Sequence, residues 1–130
     1  MSYYLSRTLS RDFNAVLEEL TARLKDQGFG VLTDIDVQAT MQAKLGATMR
    51  RYRILGACNP RLAFDAIQAE EHLGVLLPCN VIVRETEDRR VEVASIDPVA
   101  TLARTGNESL GPMAEAVRSR LAAALAQLKD

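Results

Sequence analysis

The order of elements in this chain predicts an α+β fold: an antiparallel or mixed sheet with two long helices packed on one face, plus short helical insertions. Three observations carry that expectation. Apolar residues recur at helical spacing towards each end, at Phe13, Val16, Leu17, Leu20 and Leu24, and again at Met113, Ala116, Val117, Leu121, Ala124, Leu125 and Leu128. Between them lie β-prone runs, two of which flank a polar tip at Thr86-Glu87-Asp88 as the arms of a hairpin do. Finally, the 130 residues suit one ordinary domain and show no repeat, low-complexity tract or linker, so residues 1–130 are expected to form a single domain.

Tyr3 to Leu9 reads as the first strand. Ser10 is the expected N-cap of the first long helix, its hydroxyl accepting an N–H that the first turn leaves unpaired, and Gly28 ends that helix. Phe29 to Ile35 reads as a strand, with Phe29, Val31, Thr33 and Ile35 on one face and Leu32 and Asp34 on the other. Asp36 caps a short helix in which Val37, Met41 and Leu45 recur every fourth residue before Gly46 stops it. Arg50 to Ala57 is the next strand, wet at its start and buried at its end. Asn59-Pro60 opens a helix, since Asn caps and Pro is tolerated where the N–H has no helical partner; Leu62, Ala63, Ala66 and Ile67 form its buried stripe. Pro78 holds Leu77 extended, Cys79 to Glu85 follows as a strand, and Arg90 to Ile96 pairs with it until Asp97-Pro98. Val99 to Ser109 is expected to be irregular, and the last long helix starts at Pro112.

Composition narrows the function classes. Sixteen basic and seventeen acidic residues leave a formal charge of −1, which argues against nucleic-acid binding, whose affinity comes largely from clustered Lys and Arg. Aromatic residues make up only 5%, too few for a base-stacking platform. No apolar run approaches membrane-spanning length, and the N-terminus lacks the basic and apolar regions of a signal peptide; a cytoplasmic location is expected, with no membrane partner. In that compartment the two cysteines are expected to be free thiols.

Those cysteines organise the search for a site. Cys58-Asn59 stands where a strand gives way to a helix, and Cys79-Asn80 where a turn gives way to a strand. If the two strands are neighbours, both thiols lie at one end of the sheet. A thiolate there would be a nucleophile or a soft metal ligand, whereas a buried thiol is simply a small apolar side chain. Neither a Cys-x-x-Cys nor a His pair is present, so no metal site and no cofactor is expected. Asn59 is explained by capping. Asn80 is not, because Asn is depleted in strands; it is a candidate ligand donor or a partner for a nearby loop. Asp34 is the carboxylate without a structural role of its own, hence a candidate general base or an ion-pair partner of Arg53. Tyr52 and Arg53 are candidates for holding an anionic ligand. The lone His72 suits a surface helix end.

Several separated runs, in order, resemble the bacterial and archaeal domain of unknown function 302 family: Gly28 to Val37, Lys44-Leu45-Gly46, both Cys-Asn runs, and Ala94-Ser95-Ile96-Asp97-Pro98. Asp34 departs from the family's more frequent Glu, keeping the carboxylate with a shorter reach. The resemblance implies a curved sheet with helices behind it, like that of the TATA-binding protein. It brings no established activity and no catalytic residues.

Three functional readings follow. The leading one is a module that binds a small-molecule ligand or a partner near the two Cys-Asn turns, expected as a homodimer because twofold homo-oligomers are the commonest assembly; an exposed strand such as 50–54 would supply the contact. The second is a thiol enzyme using Cys79 or Cys58 with Asn80 and Asp34 assisting. The third is a structural or interaction protein.

Overall fold

The computed structural model describes residues 2–130. Five strands form one antiparallel sheet: β1 (Tyr4–Leu9), β2 (Gly30–Asp36), β3 (Tyr52–Cys58), β4 (Cys79–Glu85) and β5 (Val91–Ile96), in spatial order β1-β5-β4-β3-β2. Strands β2 to β5 are sequential neighbours, and β1 returns to lie antiparallel beside β5. Helix α1 (Phe13–Asp26) therefore carries the chain from one edge strand to the other. It and the last helix, α5 (Gly111–Ala126), bury Phe13, Val16, Leu20 and Leu24 from one and Val117, Leu121, Ala124 and Leu125 from the other. These meet Leu9, Leu55, Val81, Val83, Val91 and Val93 of the sheet in one core. The fold is α+β, as the alternation of patterns predicts, and the sheet is wholly antiparallel.

Differences from the sequence reading have local causes. Asp12, not Ser10, caps α1: its backbone is extended and its Oδ2 accepts from the Ala15 N–H at 3.0 Å. Phe13 begins the buried stripe, so the cap must sit directly before it, and the Ser10 N–H is engaged instead by Asp130 Oδ1. In β2 the register shifts between Val31 and Thr33. That bulge breaks the simple alternation: Val31 shares the helix-side face with Ala57, while Thr33 and Ile35 turn to the opposite, open face beside Gly56 and Ile54. Helix α2 (Val37–Leu45) has the predicted cap, Asp36 Oδ1 accepting from the Ala39 N–H at 2.9 Å, and the predicted left-handed Gly46. Yet it buries none of its residues, and Leu45 is 74% exposed. Its spacing of four is a stripe without a partner surface. Arg50 and Arg51 precede β3 rather than starting it, and the Arg51 guanidinium lies over the Phe13 ring at 5.4 Å.

Helix α3 (Pro60–Ala69) begins as predicted, with Asn59 Oδ1 accepting from the Leu62 N–H at 3.2 Å. Of the four residues expected to be buried, only Ala66 is; Leu62 and Ala63 are half-buried and Ile67 is exposed. Residues 99–109 are more regular than expected. Asp97 caps a short helix, α4 (Pro98–Leu102), and two 3-10 turns lead to α5. With Ala66, Leu73 and Ala114, the buried Leu102 and Leu110 make a second, smaller core below α3.

Candidate functional site

Strand β3 ends at Cys58 and the chain turns at once into α3, while β4 begins at Cys79 after the Leu77-Pro78 bond, which is cis. In the sheet register Cys79 lies opposite Ala57 and Asn80 opposite Gly56. The two Cys-Asn turns therefore share one end of adjacent strands, as their matched settings suggest. Because α3 leaves the strand end at this point, it does not lie flat on the sheet. It stands off, and an apolar cavity of about 320 Å³ opens beneath it. Leu62, Ala63, Ala66 and Ile67 face that cavity, so the stripe read as buried is instead the roof of an open space. Phe29, Ala57 and Leu77 close its sheet side, and Met113 and Val117 of α5 close the back.

Both Cys58 and Cys79 line the cavity. Cys79 packs against the main core, and burial pushes its thiol up to about 11; a nearby negative charge on Cys58 would add to that effect. At neutral pH Cys79 is thus a protonated, apolar wall. Among the described residues, no three His, Cys, Asp or Glu side chains converge as a metal site would require.

The other predicted site residues lie elsewhere. Arg53 and Asp34 form a bidentate ion pair across β3 and β2, with Nε to Oδ1 at 2.8 Å and Nη2 to Oδ2 at 2.5 Å. The guanidinium holds the Asp34 carboxyl below its ordinary range. The pair sits at the sheet edge and lines neither the cavity nor the groove on the open face. Asn80 and Tyr52 are on the open face, in a shallow groove of about 560 Å³ that includes Tyr4, Ile82, Arg84 and Ala94. His72 is exposed at the start of a 3-10 turn. The predicted set therefore divides among three places: two thiols in the cavity, an ion pair at the edge, and Asn80 with Tyr52 on the open face. Sequence reading missed the remaining cavity walls, because Phe29, Leu77 and Met113 belong to elements whose meeting no spacing announces.

The family model described as "Domain of unknown function DUF302" matches residues 5–128. The chain belongs to that family. Its structure is similar to the crystal structure of the uncharacterized conserved DUF302 protein from Bacillus stearothermophilus, with a TM-score of 0.93 and 26% identity over 99% of this chain and 100% of that one. No curated protein matches the chain. No helix among the described residues is long and apolar enough to cross a membrane.

Proposed function

We propose that this DUF302 chain is a binding module whose small-molecule ligand occupies the apolar cavity between α3, α5 and the ends of β3 and β4. One observation carries the reading: a cavity of about 320 Å³, lined almost wholly by apolar side chains, opens at the turn where both thiols meet. That volume lies at the lower end of what small-molecule sites use. A cavity with such walls recognises shape and apolar surface, and burial of a fitting ligand supplies its free energy. The protonated state of Cys79 weighs against the thiol-enzyme alternative at that residue, since the thiolate is the nucleophile. The test is titration of the purified protein with the apolar fluorophore N-phenylnaphthylamine. Saturable binding is expected for the wild type and not for Ala63→Trp, which fills the cavity from its half-buried roof. Equal binding by both proteins, at unchanged far-UV circular dichroism, would sink the reading.

The homodimer rests on a separate observation. On the open face, Ser6, Ala94, Ile82, Ile54 and Ile35 are register neighbours in one row across all five strands. An antiparallel sheet facing water usually places polar residues there; apart from Ser6 this row is apolar, of the kind that marks association. It crosses all five strands, four inter-strand spacings or roughly 19 Å. Arg84 and Glu92 pair at 2.6 Å beside the row, so the face carries both charges and suits a second copy of itself better than a strongly acidic or basic partner. Sedimentation velocity should show a dimer that Ile82→Lys converts to a folded monomer. A wild type that remains monomeric at high micromolar concentration overturns the homodimer.

A further inference from the structure

Asn59 does two things at once. Its Oδ1 caps α3, and that bond fixes which end of the amide is oxygen, so the other end is the NH₂ donor. This Nδ2 packs over Gly28, whose φ of +86° turns the chain between α1 and Phe29. A Cβ on Gly28 would stand 2.9 Å from Asn59 Nδ2 and 3.3 Å from Arg120 Nη1. The two nitrogens therefore pack side by side against the bare Gly28 backbone, and a side chain at that position would push them apart. Among the described residues neither nitrogen donates to a protein acceptor, and Arg120 forms no ion pair.

The place of this volume matters. Asn59 and Phe29 both line the apolar cavity, Phe29 directly follows Gly28, and Arg120 stands one turn beyond the lining residue Val117 on α5. Asn59 thus stands in the cavity wall with the exposed Arg120 guanidinium beside it, and the first turn of the ten-residue α3 also favours negative charge there. The residues that line the cavity itself carry no charge.

We propose that the ligand is an amphiphile with a single anionic head, a carboxylate being the simplest, accepted by Asn59 Nδ2 and Arg120 while its apolar body fills the cavity. This deepens the cavity reading and rests on it. An Arg guanidinium and a neutral amide donor together suit a carboxylate, which accepts from two directions, and they offer nothing to a cationic head.

Calorimetric titration with decanoate and with decanol separates head from body. The wild type should bind decanoate at least tenfold tighter than decanol. Asn59→Asp keeps the capping oxygen but replaces the NH₂ by a carboxylate oxygen; Arg120→Gln removes the exposed guanidinium. Each should cost decanoate at least tenfold and change decanol by less than twofold. If decanol binds as tightly as decanoate, or if neither substitution affects decanoate, the head-group site is overturned; the cavity reading still stands if Ala63→Trp abolishes decanol binding. If neither molecule binds the wild type, both fall.

Discussion

At the scale of the residue, environment rather than identity decides what the two thiols are. Cys79 lies opposite Ala57 on the core side of β4, and burial raises its pKa from an ordinary 9.0 to about 11. A raised acid pKa means that the protonated form is the one the fold stabilises. The corresponding stability is fully present below about pH 9 and is lost as pH rises through about 11, a change of at most about 2–3 kcal/mol. Chemical denaturation between pH 8 and 11.5 should show that decline in the wild type and a flatter profile in Cys79→Ala. Alkylation of Cys79 by iodoacetamide at pH 8 should be at least tenfold slower than that of a free thiol, read by peptide mass spectrometry. Asp34 presents the opposite sign. Its carboxyl is held low by Arg53, so the pair contributes above the ordinary carboxylate pKa and is lost as pH falls through the depressed value. Both side chains are partly exposed, at 38% for Asp34 and 28% for Arg53, which limits that contribution. Asp34→Asn should change stability at pH 7 by less than about 1 kcal/mol.

At the scale of the element, caps and close approaches set the boundaries that periodicity leaves loose. Asp12→Ala should destabilise the protein by about 1 kcal/mol, because it leaves the Ala15 N–H without its acceptor, whereas Ser10→Ala should be near neutral. Paired thermal melts decide between these two caps. Gly56 has no room for a side chain. A Cβ there would stand 2.2 Å from Thr33 Oγ1 and 2.7 Å from Pro78 Cγ, with β2 and the β4 turn both anchored around it. Gly56→Ala should therefore cost about 2–4 kcal/mol, a fall in Tm on the order of 10 °C. Helix α2 shows the limit of pattern reading: its caps were legible, at Asp36 and Gly46, but its apolar spacing has no surface to meet within this chain. At the other end of the fold, the Arg7 guanidinium donates to the Leu125 carbonyl at 2.9 Å and the Ala126 carbonyl at 3.1 Å, closing α5 onto β1 across almost the whole chain length. No local signal in β1 points to that contact.

At the scale of the whole molecule, one sheet serves two surfaces of different character. Its helix side carries the core and, where α3 stands off, the cavity with both thiols. Its other side carries the apolar row from Ala94 to Ile35, together with Asn80 and Tyr52. If cavity and open face serve separate roles, a substitution on one should leave the other's readout alone. Ile82→Lys should abolish the dimer while changing N-phenylnaphthylamine affinity by less than twofold, and Ala63→Trp should do the reverse. Fluorescence titration and sedimentation of both variants check this independence.

The sequence by itself determined the five strands, the two long helices, the helices after Asp36 and Asn59, and the family. Helical and strand periods, the Asn59-Pro60 start and the Gly28 and Gly46 stops depend on neighbours a few residues apart, so local chemistry specifies them. It also marked the two Cys-Asn turns as matched and as the place to search. What each face meets was decided only by tertiary structure. The bulge after Val31 reassigns Thr33 and Ile35, the stand-off of α3 turns a predicted core stripe into a cavity roof, and Arg120 reaches Gly28 across more than ninety residues of chain. Periodicity records which residues share a side of an element. It does not record how far away the next element packs, and that distance separates a filled core from a cavity.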